Sequence, residues 1–389
     1  CEWRVCRDGA LVMLRTCGRT VLSATRGHVR SAYILPAALF SLSRCQPASA
    51  SAAFSVFSAT SAAVELGSRA FSTGKPPIVP IPLPRIHPQG RIPFAMQQTT
   101  LKVACLQLAC GADKQQNIDN AAGRIREAAQ MGAELVVLPE CFNSPYGTKY
   151  FAEYAESVID GQSQTCEMLS KAARDSGVFL VGGSFPERDG DQLFNTCYIF
   201  NKDGDMIARH RKIHLFDIDI PGKITFKESE TLSPGEGPTV VDLSEHGGPQ
   251  VRMGIGICYD IRFGELATLY RQLGCNLLVY PGAFNMVTGP AHWEMLIKAR
   301  CVDTQSFGIV CSPARDETAD YVAWGHTMIT DPWGDTLGEA DEKEAIIMSD
   351  LDLTQVITRR TNMPLWLQKR SDIYKTTSPF VQDLSSKKK

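Results

Sequence analysis

A chain of 389 residues is long enough to bury one large core or two smaller ones. Its formal net charge of −2 leaves no basic excess to make nucleic acid or an anionic membrane the main partner. Thirteen cysteines, an odd number with neither a CxxC nor paired metal-like spacing, read as reduced thiols rather than a disulfide framework. No apolar run approaches the roughly 20 residues of a membrane-spanning helix.

The net charge conceals an asymmetry. Residues 1–100 carry eleven Lys and Arg against Glu2, Asp8 and Glu65, a balance of +8, so the remainder carries −10. Residues 1–95 are rich in Arg, Ser and Ala and then in proline, and do not read as a folded domain. An Arg-rich, Ser-rich, acid-poor N-terminus has the character of an organellar transit peptide. Arg69-Ala-Phe-Ser72 is similar to the site at which mitochondrial presequences are cut. Such a leader implies a mitochondrial protein, whereas a start at Met96 implies a cytoplasmic one. Translated upstream sequence without a targeting role is the alternative reading.

From Leu101 the texture changes. Lys102 to Leu108 alternates as a strand, Asn117 to Met131 has helical periodicity, and Glu134 to Leu138 is a buried strand ending at Pro139-Glu140. A helix over 163–176 and a strand over 178–182 follow. A hairpin turns at Asp203-Gly204 between 195–201 and 205–209. Residues 221–238 read as a polar excursion. Strand 251–257, helix 265–273, strand 276–280, helix 291–305 and strands 308–311 and 326–330 come next. A last hairpin around Pro332-Trp-Gly-Asp335 leads to strand 345–350. Helices alternate with strands, but hairpins intervene, so the expected architecture is two mixed sheets packed face to face with helices outside. The folded body is expected over residues 101–374, with a tail over 375–389 ending in three lysines.

The most informative stretch is Met253-Gly-Ile-Gly-Ile-Cys258-Tyr-Asp-Ile-Arg262. Strand, abrupt turn with a thiol, then helix is the geometry of a nucleophile elbow, with sulfur in place of a hydroxyl. A buried structural cysteine is the bland alternative, but Gly254 and Gly256 strip bulk from the strand, and Asp260 and Arg262 add charge. Glu140 closes an apolar strand in Leu138-Pro-Glu140, where a loose turn acid is the alternative. Lys212 lies in Arg209-His-Arg-Lys212, which could equally be a solvated or phosphate-binding basic face. Taken together, the three have a chemistry in common. A carboxylate can take the thiol proton, and an ammonium favours the thiolate and stabilises an oxyanion.

Glu140, Lys212 and Cys258, each in its own motif and in this order, resemble the nitrilase superfamily of carbon–nitrogen hydrolases over about residues 101–374. The stretch from His210 to Phe226 with Glu228-Ser, Cys258-Tyr-Asp-Ile-Arg-Phe263, Pro281-Gly-Ala-Phe-Asn-Met-Val-Thr-Gly289 and Cys311-Ser-Pro-Ala-Arg315 are similar to its omega-amidase branch. The resemblance implies an αββα sandwich, a homodimer and no metal or organic cofactor. It also implies hydrolysis of the terminal amide of α-ketoglutaramate or α-ketosuccinamate, with Glu228 as the family's second glutamate. A dicarboxylic half-amide needs a cation for its far carboxylate, and Arg262 is the candidate because a guanidinium can hold it bidentately. A structural ion pair of Arg262 with Asp260 or Glu265 is the alternative. The Tyr259 backbone N–H is a candidate oxyanion donor, and Phe284 and Thr288 are candidate pocket residues. His292 and Trp293 are assigned to the core or a dimer interface, and Asp260 to stabilising the turn. Rival functions are another amidase of the superfamily (on N-carbamoyl amino acids, other small amides or nitriles), a silent scaffold that keeps the fold, or a thiol redox sensor.

Overall fold

The computed structural model describes residues 99–381 and, near the N-terminus, a hairpin of β1 (Glu2–Val5) and β2 (Leu11–Leu14). The chain divides into two units, Cys1–Thr73 and Gly74–Lys389, and the hairpin belongs to the first. The leader's cleavage motif at Arg69-Ala-Phe-Ser72, the alternative start at Met96 and the final lysines lie outside the described residues.

The second unit opens with β3 (Thr100–Gln107), whose alternation separates two cores. Leu101, Val103 and Cys105 face one cluster, and Ala104 and Leu106 the other. Helix α1 (Lys114–Gln130) is capped by the Asp113 side chain, which accepts from the Gln116 N–H, and it leads to β4 (Leu135–Val137). After α2 (Thr148–Tyr154), Ser163 caps α3 (Gln164–Ser176), which ends on Gly177 in the left-handed region, φ 64°. The strands β5 (Phe179–Val181), β6 (Phe185–Asp189), β7 (Gln192–Phe200) and β8 (Met206–Arg211) follow. Pairing is parallel through β3–β4–β5 and antiparallel from β5 onward.

The expected polar excursion contains structure. A separate ribbon of β9 (Asp217–Ile220) and β10 (Ile224–Lys227) turns at Gly222, φ 73°, and runs into a 3₁₀ turn at Glu228–Glu230. Its Asp-Ile-Asp-Ile alternation buries only one face partly, so the apolar signal is weak. The second sheet is formed by β11 (Thr239–Asp242), β12 (Arg252–Ile255), β13 (Leu277–Pro281), β14 (Phe307–Cys311), β15 (Met328–Thr330) and β16 (Thr336–Glu339), in that spatial order. Strand β17 (Ala345–Asp352) then returns to pair antiparallel with β3. Helices α6 (Thr354–Asn362) and α7 (Leu365–Gln368) follow it. Further on, Phe380 lies over Gly237, and the Thr376 carbonyl accepts from the Gln272 amide at 3.0 Å.

The layers follow from which faces are apolar. Leu101, Val103, Leu135, Val137 and Phe179 of the first sheet share a core with Met253, Ile255, Val279 and Ile309 of the second. The outer face of the first sheet, with Val136, Leu138 and Leu180, is covered by Ile125 and Ala128 of α1 and Leu169 and Ala173 of α3. On the second sheet, Tyr270 of α4 (Gly264–Gln272) packs over Gly254, and Ile297 and Cys301 of α5 (Gly289–Thr304) pack over Gly308. The result is the αββα sandwich of two mixed sheets. Among the described residues, no helix is long and apolar enough to cross a membrane.

Candidate active site

The site forms where strand ends from both sheets meet, beyond the carboxyl ends of β4, β8, β12 and β13. Leu138-Pro-Glu140 leaves β4 and passes close to the end of β5. A Cβ on Gly183, φ 60°, would stand 2.2 Å from the Pro139 carbonyl oxygen, so only glycine permits that approach. Cys141, immediately after the glutamate, has φ 51°, and its N–H donates to Ser184 Oγ at 3.1 Å.

Glu140 is fully buried. Its Oε1 accepts from Lys212 Nζ at 2.9 Å and Asn195 Nδ2 at 2.8 Å, and its Oε2 from the Ala283 N–H at 2.8 Å. The Cys258 thiol lies close enough to the same carboxyl for the two to affect each other's protonation. Lys212 Nζ also donates to Glu228 Oε1 at 2.9 Å. That carboxylate accepts in addition from the Tyr146 hydroxyl at 2.6 Å and the Phe216 N–H at 2.7 Å. One ammonium therefore sits between two buried carboxylates, and neutral donors hold the remaining carboxylate oxygens.

This environment sets the proton positions. Burial pushes the Cys258 thiol well above its ordinary range, and the charge of Glu140 adds to this, with Lys212 opposing. Both effects favour the thiol over the thiolate. Burial also raises Glu140, against the pull of Lys212, and this makes the carboxylate a stronger base than an exposed glutamate. Burial disfavours the Lys212 charge, but Glu140 and Glu228 outweigh it and hold the ammonium well above the usual lysine value.

Cys258 starts a 3₁₀ turn, Cys258–Arg262, with φ 47°. That left-handed backbone costs a non-glycine residue about 1–2 kcal/mol, and it turns the side chain away from the line of β12. Gly256 makes the approach possible, because a Cβ there would meet the Tyr280 ring at 2.6 Å. Asp260 stabilises the turn, as its type and position suggested: its Oδ2 accepts from the Ile257 N–H at 2.9 Å. Its charge, however, faces His210 and His214 and not the sulfur. The basic run around Lys212 divides in the same way. Arg209 and Arg211 pair with Glu187, His210 turns to Asp260, and Lys212 alone of the four reaches the carboxylates beside the thiol.

A narrow pocket opens beside the sulfur, lined by Cys258, Tyr259, Arg262, Phe284, Thr288, Ala283, Phe216 and Tyr321. All four residues expected to bind substrate are therefore placed with the candidate nucleophile. Arg262 makes no ion pair among the described residues. Its guanidinium lies 4.8 Å from the Phe284 ring centroid and 5.5 Å from that of Tyr259. Trp293 is buried, as expected, and donates to the His326 carbonyl at 2.6 Å. His292 is half-buried, and its Nδ1 lies 3.2 Å from Arg262 Nη1. Sequence reasoning did not single out Tyr146, Asn195, Phe216 or Tyr321. Phe216 falls within the stretch from His210 to Phe226 without having been assigned a role, and the other three come from segments that carry no motif of their own. Among the described residues, no group of three or more His, Cys, Asp or Glu side chains is placed to hold a metal ion.

Comparison with known proteins identifies the family. The carbon–nitrogen hydrolase family model matches residues 102–361. Omega-amidase NIT2 of Homo sapiens is 53% identical over 276 residues, covering 71% of this chain and 97% of that protein. Omega-amidase NIT2 of Bos taurus is 52% identical over 275 residues, with coverage of 71% and 97%. Among solved structures, Nit3 of Saccharomyces cerevisiae, a member of branch 10 of the nitrilase superfamily, has a TM-score of 0.64 and 42% identity, covering 70% of this chain and 97% of that one. The NitFhit protein of C. elegans has a TM-score of 0.65 and 31% identity, with coverage of 72% and 68%. The chain thus belongs to the carbon–nitrogen hydrolase family, in the omega-amidase branch of the nitrilase superfamily, and is a hydrolase of carbon–nitrogen bonds.

Proposed function

We propose that the protein is an omega-amidase that hydrolyses the terminal amide of α-ketoglutaramate or α-ketosuccinamate, releasing ammonia and 2-oxoglutarate or oxaloacetate. The observation that carries this reading is Arg262, a guanidinium without a carboxylate partner among the described residues, in the pocket that also holds Cys258. A half-amide brings the missing carboxylate, and bidentate pairing with arginine suits it. The omega-amidases at 52–53% identity support the same substrate class.

In the proposed mechanism Glu140 takes the Cys258 proton and the thiolate attacks the amide carbon. An ammonium has three donors, and Lys212 spends two on Glu140 and Glu228, which leaves one for the oxyanion. The Tyr259 N–H is the second donor. Each is expected to contribute about 2.7–4 kcal/mol in the transition state. Protonated Glu140 then gives its proton to the amide nitrogen, and ammonia leaves a thioester on Cys258. Water, deprotonated by Glu140, attacks the thioester carbonyl. The acid departs, and the proton held on Glu140 returns to sulfur. Glu228 fixes the Lys212 ammonium and helps to orient substrate and water.

Two further proposals concern the whole protein. Exposed Met295 and Val302 on α5 support a homodimer that covers this helix. The arginine-rich composition of residues 1–95 supports a mitochondrial leader, which mass spectrometry of the native N-terminus would test. For the activity itself, the test is ammonia release from α-ketoglutaramate, glutamine and N-carbamoyl-β-alanine, before and after iodoacetamide. Preference for α-ketoglutaramate with loss on alkylation supports the proposal. Preference for the carbamoyl compound moves the enzyme to another branch.

A further inference from the structure

We infer that His292 is a positioning residue for Arg262 and thereby sets how strongly the pocket prefers an anionic amide over a neutral one. The inference rests on the reading of Arg262 as the site of the substrate's far carboxylate.

The geometry is asymmetric in a useful way. Arginine has donors and no acceptor, so across the 3.2 Å contact with Arg262 Nη1 the Nδ1 atom of His292 must accept. The imidazole is then neutral and carries its proton on Nε2. Such a contact orients the guanidinium without neutralising it. A carboxylate in the same position would do both, and would spend the charge that the substrate needs. The other supports of the guanidinium are also uncharged. They are the rings of Phe284 and Tyr259, over which the guanidinium lies, while Arg262 Nε is buried without a hydrogen-bond partner.

His292 is itself held firmly. It lies in the first turn of α5, and its N–H donates to the Thr288 carbonyl at 3.0 Å. Thr288 in turn belongs to the loop after β13 that lines the pocket. Its N–H and hydroxyl both donate to Asn285 Oδ1, at 2.9 and 3.2 Å. The hydrogen bond between Arg262 and His292 thus links the turn of Cys258 to the helix that follows the Thr288 loop, beside the contact of Arg262 with Phe284 of that loop. A long side chain with several rotatable bonds loses entropy when it binds an anion, and fixing one nitrogen beforehand removes part of that cost.

The test compares wild type, His292→Ala, His292→Asn and Arg262→Ala, using kcat and KM for α-ketoglutaramate and for propionamide. His292→Ala should raise KM for α-ketoglutaramate with little change in kcat. Its loss in kcat/KM should exceed the loss on propionamide about tenfold, the low end for a hydrogen bond to a charged group. Asn places an acceptor oxygen near the position of Nδ1, so His292→Asn should recover most of that discrimination. A parallel measurement does not depend on turnover of the half-amide: glutarate should protect Cys258 from iodoacetamide, and His292→Ala should need about tenfold more of it.

Equal losses on the two amides, together with unchanged glutarate protection, overturn the inference. So does His292→Asn behaving like His292→Ala. If Arg262→Ala shows discrimination and His292→Ala shows none, only the role of His292 falls. If Arg262→Ala shows none, the carboxylate reading falls and this inference falls with it. If wild type ignores α-ketoglutaramate but glutarate protection follows His292, the substrate is wrong and the positioning role stands.

Discussion

The carboxylate of Asp260, two residues after Cys258, accepts the backbone N–H of His214, two residues after Lys212, at 3.0 Å. The same carboxylate meets His214 Nδ1 at 2.8 Å and His210 Nε2 at 3.1 Å. One side chain therefore ties the segment bearing the candidate cation to the turn bearing the candidate nucleophile. Their separation is set by buried hydrogen bonds and not by the reacting groups alone.

That tie gives a stability prediction with a definite sign. Burial works against the Asp260 charge, but hydrogen bonds from His210, His214 and the Ile257 N–H hold the carboxyl below its usual range. A carboxyl depressed in the folded state stabilises the protein above its unfolded value of about 3.9, and the benefit is lost as pH falls through the folded value. Asp260→Asn should cost about 3 kcal/mol at pH 7, and the gap to wild type should narrow as pH drops below about 4. Urea midpoints at pH 7, 5 and 3 measure it. A gap that stays constant would show that the charge is not what matters.

Cys258→Ala should abolish turnover in a protein that stays folded, because it removes the sulfur and little volume. Cys258→Ser should be nearly as inactive, since an alkoxide is far harder to form than a thiolate in a site built around a carboxylate base. Steady-state ammonia release with a circular dichroism control checks both. Activity in the Ala variant above a few per cent of wild type would require another nucleophile.

Glu140 carries a pH prediction. It must be ionised to accept the thiol proton, and burial raises its pKa. The acid limb of kcat/KM should therefore lie above the ordinary glutamate range, with the rate falling as pH falls through it. Glu140→Gln keeps the shape but cannot accept a proton, and should lose at least about 10²-fold in kcat together with the limb. An acid limb at or below the value of an exposed glutamate would contradict the burial argument.

For Arg262, replacement by Lys keeps a charge but not the two-pronged fork. Arg262→Lys should lower kcat/KM for α-ketoglutaramate, and Arg262→Ala should do so by about 1.5–3 kcal/mol. Propionamide has no carboxylate to lose and should suffer much less. Equal losses on both substrates would place Arg262 in the scaffold.

Much of this was open to reading from residues that act locally. The alternation of β3, the helical periodicity of α1 and α3, and the glycine-flanked approach to Cys258 state their own conformations. Each element type follows from which faces are apolar. The ribbon at 217–227 escaped notice because a two-stranded, half-buried hairpin lacks a strong apolar face, although it carries Phe226 and leads directly to Glu228. Glu140, Lys212, Glu228 and Asp260, all buried, stand in the quoted motifs, but those motifs were silent about neighbours, and the equally buried Glu187 stands in none of them.

The sequence by itself determined the alternation of strands and helices, the sharp turn at Cys258, and the residue types that can supply a nucleophile, a base and a cation. Only the tertiary structure decided that Lys212 lies between Glu140 and Glu228, that Asp260 faces two histidines, and that His292 meets Arg262. These contacts join residues 16 to 72 positions apart in one case and 30 to 50 in the others. Local propensity carries no information over such separations. The packing of two sheets brings those strand ends together, and the high cost of an unpaired buried charge then leaves few arrangements that the chain can adopt.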